Sequence, residues 1–390
     1  MRVLMINVVC GIRSTGRICT DLAAALEAQG HEVKIAYGRE DVPEQFQKYA
    51  VRIGNDLDVK LHGLKARLMD GAGFGSKRVT EKFIKWVKEY DPDVIHLHNI
   101  HGYYINVEVL FKYLKECGKK IIWTLHDCWS FTGHCVYFDY VNCDKWKIGC
   151  KHCPQKAEYP ARIGPDMSKR HYALKKKLFT DVENMILVTP SQWLADLIAE
   201  SYMKEYRTKV IYNGVDTSVF KPTKSNVKEK YNCQNKKIVL GVAAVWDKRK
   251  GLNTFIELAR QLADCYQIVL VGLNKDQIEQ LPRNIIGIER TNSIKELVEL
   301  YSAAEVFVNP TLEDNYPTTN IEAIACGTPV ITYETGGSFE SAGMYGMGVP
   351  KMNIEMLIKA IKEIDKVNLG TVDIDYKNTV NKYIMLYEKI

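Results

Sequence analysis

The chain has 390 residues, 46% of them hydrophobic and 26% charged, with a formal net charge of +6 at neutral pH. This composition is that of an ordinary globular protein long enough for two domains with full cores, and no apolar run reaches the roughly 18–20 residues of a membrane span. A secretory signal and a membrane anchor are therefore not expected, and the eleven cysteines of a chain predicted to be cytoplasmic favour reduced thiols or a metal site over a disulfide framework.

Apolar runs of strand length alternate with helical patterns along the chain. The runs cover residues 2–8, 32–37, 93–98, 120–125, 185–189, 209–212, 237–242, 267–271, 306–309 and 329–333. Because these runs lack polar alternation, they predict parallel strands that helices cover on both faces. The intervening segments repeat apolar residues at helical spacing, as Leu252, Phe255 and Leu258 do. The predicted fold class is therefore α/β with doubly wound sheets.

The pattern starts twice, at Val3 and at Ile238, and turn-forming residues lie between the two starts. We therefore predict two Rossmann-like domains, residues 1–215 and 216–375, that face each other across a cleft. A final helix over residues 376–390 can pack back on the N-terminal domain. Sheets of this kind bind ligands beyond the carboxyl ends of their strands, so the cleft is the place to look for chemistry.

The first predicted strand ends in a loop that contains Gly11 and Gly16. Such a loop can bring backbone amides against a ligand at the next helix N-terminus, although a tight strand-to-helix turn explains it equally well. The loop lacks the three-glycine spacing of a dinucleotide site, and Gly38 and Arg39 follow the second strand in place of an acid. Both observations argue against NAD.

A basic segment with interleaved apolar residues spans residues 60–88. Its apolar members are Leu61, Leu64, Leu68, Phe74, Phe83, Ile84 and Trp86, and a second basic patch contains Lys169, Arg170, Lys175, Lys176 and Lys177. A basic amphipathic surface suits peripheral attachment to an anionic membrane, and a solvated charged face is the equally weighted alternative. The modest net charge and the lack of a nucleic-acid-binding module argue against nucleic acid as a partner.

The fourth predicted strand delivers His126 and Asp127 to the carboxyl edge of the first sheet. A histidine there can hydrogen-bond a substrate, or carry a proton if its pKa lies near neutrality. A structural pair of His126 with Asp127 is the equally weighted alternative. The nearby His96, His98 and His101 alternate as in a strand and are assigned no chemistry.

A cysteine-rich insert follows near residues 126–154. Cys150 and Cys153 have the two-residue gap of a metal knuckle, and Cys135 and Cys143 can complete a tetrahedral site of four thiolates. We predict a structural zinc ion that clips this loop. The gaps between the pairs are less regular than in two matched knuckles, so reduced structural thiols are the alternative, and an iron–sulfur cluster is remote.

Two further segments sit at predicted strand ends of the C-terminal domain. Lys248, Arg249 and Lys250 precede a helix, where cations can neutralise a departing diphosphate, although a four-residue basic cluster is more often a solvated turn. The second segment is acidic and leads into another helix: Asp314 and Glu322 can reach different hydroxyls of one ligand, and Thr318 and Thr319 are candidate caps beside amides that suit a diphosphate. On spacing alone, surface acids are the commoner explanation.

These motifs occur in a recognisable order. They are residues 11–17, 126–127, 189–191, 213–216, 249–251, the acidic segment that ends in Glu322 and Ala323, and residues 326–330. Each motif alone is weak, but the ordered set covers nearly the whole chain and resembles the GT4 family of retaining glycosyltransferases, which have the GT-B fold. The likeness is greatest to transferases that assemble bacterial capsule, exopolysaccharide or lipopolysaccharide.

The resemblance implies roles for individual residues. Glu322 matches the family glutamate that binds the nucleotide ribose, and Asp314 stands where a glutamate contacts the donor sugar. Lys250 matches the lysine on the diphosphate, His126 the cleft histidine near the transferred sugar, and Gly16 the loop that faces donor phosphate and acceptor.

This sequence departs from the family pattern at two places. Asp314 is one methylene shorter than the usual glutamate, for which Glu313 is an alternative. Val242 replaces the arginine that usually follows the strand glycine, and Lys248 or Arg249 can compensate for it.

The resemblance therefore implies transfer from a UDP- or GDP-sugar to a saccharide acceptor with retention at the anomeric carbon. The leaving phosphate helps to deprotonate the acceptor, and no catalytic metal is needed. The expected acceptor is lipid-linked, carried by polyprenyl diphosphate at the inner face of the cytoplasmic membrane. A non-catalytic nucleotide-sugar-binding scaffold and a nucleotide-sugar epimerase on the same fold remain as alternatives.

Overall fold

The computed structural model describes residues 1–364 and 374–389 of the chain. It contains two compact α/β units. The first comprises Met1–Tyr212 together with the chain from Val380 onward, and the second comprises Asn213–Thr379. The prediction of two doubly wound domains is confirmed.

The first unit is built on a parallel sheet of seven strands. Its strands are β1 Arg2–Ile6, β2 Glu32–Tyr37, β3 Ala50–Arg52, β4 Val94–Leu97, β5 Lys120–Thr124, β6 Met185–Thr189 and β7 Thr208–Val210. Its helices are α1 Arg13–Ala28, α2 Asp56–Met69, α3 Lys77–Tyr90, α4 Val107–Glu116, α5 Ser168–Phe179 and α6 Gln192–Glu200. The strand order is β3-β2-β1-β4-β5-β6-β7, so the order reverses between β1 and β4.

The second unit repeats this plan with six parallel strands. Its helices are α7 Val227–Lys230, α8 Leu252–Gln261, α9 Lys275–Glu279, α10 Ile294–Ala303, α11 Thr318–Ala325, α12 Ser338–Ala342 and α13 Ile354–Glu363. Its strands are β8 Lys237–Val242, β9 Tyr266–Val271, β10 Ile285–Ile288, β11 Val306–Asn309, β12 Val330–Tyr333 and β13 Gly346–Val349, in the order β10-β9-β8-β11-β12-β13. The reversal lies between β8 and β11.

The last helix, α14, spans Tyr376–Lys389. Its buried tyrosines anchor it to the first sheet: the Tyr387 hydroxyl lies 2.6 Å from His96 Nδ1, and the Tyr383 hydroxyl lies 3.0 Å from Thr124 Oγ1. Among the described residues, no helix combines the length and apolar character that crossing a membrane requires.

Candidate functional site

A lysine–aspartate ion pair marks the carboxyl edge of the second sheet. Lys250 lies in the 3-10 turn Lys248–Lys250 after β8, and Asp314 lies in the loop between β11 and α11. Lys250 Nζ donates to Asp314 Oδ2 at 2.5 Å, and both side chains are partly exposed. Because β8 and β11 are neighbours at the reversal of strand order, their two loops place a cation and a carboxylate together where a ligand can reach them.

Backbone contacts fix the basic turn against the acidic loop. The Leu312 amide donates to the Arg249 carbonyl at 2.7 Å. Gly251 has a φ of +76°, and a side chain there would place Cβ only 2.3 Å from the Pro310 carbonyl oxygen. Glycine alone allows this backbone and this approach. The Arg249 side chain lies against Asp247, with Nε 3.7 Å from Oδ2.

Helix α11 begins at Thr318, and Pro317 occupies its N-cap position without a side-chain hydrogen bond. The prediction that Thr318 and Thr319 cap this helix is wrong, because both residues lie inside its first turn and not at the cap position. The Asn320 amide donates to the Pro317 carbonyl at 3.2 Å. With no cap from the Pro317 side chain, the positive end of the helix dipole faces this loop and favours an anion there. Asn320 anchors the helix by accepting from Asn309 Nδ2 at 2.8 Å.

Glu322 lies one turn further along α11 and is buried. Its Oε2 accepts a hydrogen bond from the Tyr301 hydroxyl of α10 at 3.0 Å. One carboxylate oxygen is therefore engaged within the protein, which fixes the orientation of the side chain. Tyr301 could not be predicted as a site residue from the sequence, because a tyrosine on the apolar face of a helix has the pattern of an ordinary core residue.

His126 lies beyond β5 in the first unit, and its ring lies beside that of His98. His98 Nδ1 and His126 Nε2 are 3.0 Å apart. Burial lowers the pKa of His126 to about 4, against the opposing effect of the Asp127 carboxylate. The imidazole is therefore neutral at pH 7, a state that suits a hydrogen bond to a substrate and does not suit the proton carrier considered from the sequence.

Asp127 accepts hydrogen bonds from His101 and from the Trp129 amide, the latter at 2.9 Å. His101 Nε2 lies 2.7 Å from Asp127 Oδ2, and its Nδ1 lies 3.3 Å from the Tyr159 hydroxyl. His98 and His101, which the sequence analysis assigned no chemistry, thus surround His126 and Asp127. The signal that finds them is topological, since β4 and β5 are adjacent and their carboxyl ends share one edge.

Gly16 lies inside helix α1, which begins at Arg13, and not in the preceding loop. It is buried, and its carbonyl accepts from the Gly11 amide at 3.2 Å.

The four cysteines predicted as zinc ligands line one small cavity. They are Cys135, Cys143, Cys150 and Cys153, and His134 lines the same cavity. All four are free thiols, and a hydrogen bond from Cys135 lowers the pKa of the Cys153 thiol. Within residues 1–364 and 374–389, no three His, Cys, Asp or Glu side chains are already grouped to hold a metal ion. The thiols are neighbours around one space without a preassembled ligand shell.

Two family models together match most of the chain. The model for Glycosyltransferase Family 4 matches residues 15–219, and the model for Glycosyl transferases group 1 matches residues 236–365.

Individual proteins are similar over long stretches. The putative colanic acid biosynthesis glycosyl transferase WcaC of Escherichia coli (strain K12) is 24% identical over 352 residues, which cover 87% of this chain and 85% of that protein. N,N'-diacetylbacillosaminyl-diphospho-undecaprenol alpha-1,3-N-acetylgalactosaminyltransferase of Campylobacter jejuni is 25% identical over 244 residues, which cover 56% of this chain and 63% of the relative.

A crystal structure of Anabaena HepE in complex with UDP-glucose superposes with a TM-score of 0.68 at 15% identity and covers 100% of both chains. The predicted GT-B fold is thereby confirmed.

Proposed function

The chain belongs to glycosyltransferase family 4, and we propose that it moves a sugar from a UDP- or GDP-sugar to a saccharide acceptor with retention at the anomeric carbon. The observation that carries this proposal is the contact of Lys250 with Asp314, in the loop that leads into the uncapped start of α11. A cation and a helix N-terminus suit a departing diphosphate, and a carboxylate suits sugar hydroxyls. The names of the relatives support a role in bacterial surface polysaccharide synthesis.

In this reaction, the second unit stabilises the negative charge that develops on the leaving diphosphate. Lys250 and the α11 amides neutralise the diphosphate as the glycosidic bond breaks, so no catalytic metal is required. Asp314 orients the Lys250 ammonium and accepts from the donor sugar. The Tyr301 hydroxyl orients the Glu322 carboxylate, which suits the ribose diol. A leaving phosphate oxygen takes the acceptor proton on the same face.

The first unit contributes the neutral His126 imidazole. Because its ring lies against His98 and stays neutral at pH 7, it can accept or donate one hydrogen bond at the transferred sugar without adding charge. Positioning of this kind raises the rate by fixing the reacting atoms and not by proton exchange.

A nucleotide titration tests the proposal. We expect UDP or GDP, but not ADP or NAD, to raise the melting temperature, because a ligand at about 100 times its Kd adds about 2.7 kcal/mol to the free energy of unfolding. Release of nucleoside diphosphate from the matching donor sugar then identifies an enzyme.

The outcomes separate the alternatives. Stabilisation without turnover in the presence of a polyprenyl-diphosphate-linked saccharide indicates a scaffold, and release of a free altered sugar indicates an epimerase. Stabilisation by NAD, or by none of the four nucleotides, contradicts the donor assignment.

An exposed apolar stripe on α2 bears on where the acceptor is met. Leu57, Leu61, Leu64 and Leu68 follow one another at helical spacing and are 51–63% exposed. The exposed Lys60, Lys65 and Arg67 flank the stripe. The expected amphipathic surface is smaller than the sequence suggested, because Phe83 and Ile84 of α3 are buried in the core.

We propose that this stripe docks on the anionic inner face of the cytoplasmic membrane, where a lipid-linked acceptor lies. Leucines insert among the acyl chains while the flanking cations meet lipid phosphates. The relative from C. jejuni, which is named for a diphospho-undecaprenol-linked saccharide, supports this acceptor class.

Vesicle flotation tests the membrane proposal. We expect binding to phosphatidylglycerol vesicles to fall about tenfold or more in Leu61→Gln/Leu64→Gln, since burial of each leucine contributes about 1.5–3 kcal/mol. Ile148→Gln, which changes an exposed isoleucine in the cysteine-rich insert, is the matched control. Equal flotation of the double variant, or equal binding to neutral phosphatidylcholine vesicles, contradicts the proposal.

A further inference from the structure

The cysteine-rich insert encloses a space of atomic size. The cavity lined by Cys135, Cys143, Cys150 and Cys153 has a volume of about 10 Å³. This is about the room that one water-sized sphere needs, so the cavity excludes organic ligands and admits a single ion. Four sulfur atoms around such a space are the donor set that zinc prefers.

A buried cation lies beside the thiols without a carboxylate partner. Lys175 of α5 is 1% exposed, although the sequence placed it in an exposed basic patch. Its Nζ donates to the Trp129 and Thr132 carbonyls at 2.7 and 3.1 Å and lies 3.5 Å from the Trp129 ring centroid, and it forms no ion pair in the described part of the chain. Burial lowers the pKa of Lys175 to about 7, because a buried ammonium is costly without a nearby negative charge. The groups that oppose this effect are, in decreasing order, Cys150, Cys135, Asp127 and Asp70.

A second polar group in the cavity wall has no partner. His134 is 3% exposed, and its Nδ1 lies 2.6 Å from Asp70 Oδ1. Its Nε2 has no hydrogen-bond partner. Buried ring nitrogens in proteins are normally satisfied, so an orphaned one beside four thiols indicates a group that the cavity is built to hold.

We propose that Cys135, Cys143, Cys150 and Cys153 bind one structural Zn²⁺ ion as thiolates. Binding releases the protons that the thiols still carry, and the resulting site of one Zn²⁺ and four thiolates carries a net charge of −2. That charge supplies the counter-ion that Lys175 lacks. The thiolate sulfurs also offer His134 Nε2 a hydrogen-bond acceptor, and His134 remains outside the ligand shell. No part of the sugar transfer passes through the metal.

The thiols reach ligand distance by closing around the ion. The insert has only two short 3-10 turns, Trp129–Phe131 and Lys145–Lys147, so its thiol rotamers can adjust without breaking a sheet or a long helix. The Gly133 amide already donates to Cys150 Sγ at 3.2 Å, a bond that stabilises a thiolate. Metal binding and ordering of the loop are expected to occur together.

Bound zinc would stabilise the loop that contains His126. The Cys128 amide donates to the Val136 carbonyl at 2.8 Å, which ties the start of the insert, next to His126 and Asp127, to the residue after Cys135. A zinc clip therefore holds the surroundings of His126 from one side.

Metal analysis of the full chain, purified without added zinc, tests the site. We expect about one zinc ion per chain in the unaltered protein. The Cys150→Ser/Cys153→Ser variant lacks two of the four proposed ligands, so its bound zinc should fall by about tenfold or more. Cys265→Ser, which changes an exposed thiol in the second unit, is the matched control and keeps the metal. Because the double variant can misfold, a mercurial titration of the unaltered protein is the second measurement, and it should release zinc as the thiols react.

Two results overturn the proposal. One is a chain with well under one equivalent of zinc that also fails to take up Zn²⁺ or Co²⁺ after reduction. The other is loss of the metal in His134→Ala together with its retention in the double cysteine variant, because His134 would then be a ligand and the thiol pair would not.

Discussion

Replacement of Lys250 by alanine is expected to lower the rate of sugar transfer by about 10²–10³, the usual cost of removing one preorganised group that stabilises transition-state charge. The Lys250 ammonium already lies 2.5 Å from Asp314, so it needs no reorganisation when the diphosphate departs. The effect should fall on kcat more than on KM, because the charge on the leaving group grows as the bond breaks. Steady-state release of nucleoside diphosphate measures both constants.

Lys248→Ala is the matched control. Lys248 belongs to the same 3-10 turn but is exposed, so we expect that it does not replace the missing arginine and that its removal changes kcat by less than about threefold. Lys250→Ala also leaves Asp314 without its cation, and the double variant with Asp314→Asn removes that unpaired charge. A Lys250→Ala enzyme that melts normally and retains full kcat contradicts the assigned role.

The apolar runs predicted every interior strand of both sheets and one edge strand, β7. The strands that the apolar runs missed are β3, β10 and β13, and each one is an edge strand. An edge strand pairs on one side only and is short: β3 has three residues, and β13 carries two glycines among its four. Continuous apolar runs are the mark of strands covered on both faces, so these segments give a weak signal.

A residue of the site could be predicted from the sequence only where it belongs to a recognisable loop motif. Lys250 and Asp314 were found because each one follows a strand within a recognisable segment. The bond from Tyr301 to Glu322 joins positions 21 residues apart on two helices, and no pattern in the sequence links them. The prediction that Thr318 and Thr319 cap α11 was wrong because the start of the helix depends on where Pro317 and the preceding loop place the chain. Sequence spacing locates a helix start to within about one turn at best.

The first unit is expected to unfold in mild acid while the second unit resists. All nine histidines lie in the first 212 residues, and the second unit has none. Burial lowers the pKa of five of them: His62, His126 and His171 to about 4, His96 to about 3, and His98 well below its usual value.

The direction in which pH changes the free energy of unfolding follows from the number of protons that each state binds. In the unfolded chain these histidines titrate near 6.5, so between pH 6.5 and 4 the unfolded state binds more protons and the free energy of unfolding falls as the pH falls. Above about pH 7 both states are neutral at these positions and the stability is flat. Each buried histidine costs roughly 2 kcal/mol at pH 5, and the sum approaches the roughly 5–15 kcal/mol that stabilises a domain.

Hydrogen exchange read by mass spectrometry at pH 7 and pH 5, corrected for the intrinsic rate, resolves the two units in one experiment. Peptides of β4 and β5 should lose protection by several kcal/mol, whereas peptides of β8 and β11 should keep theirs. The Gly75 amide donates to His62 Nε2 at 3.0 Å, and His62→Gln keeps an acceptor for it. Unfolding of this variant in acid should take up about one proton fewer, so its free energy of unfolding should fall less steeply as the pH falls. His152→Gln, an exposed control, should leave it unchanged. Equal protection of the first unit at both pH values would show that its histidines are protonated within the fold, and the neutral state assigned to His126 would then be wrong.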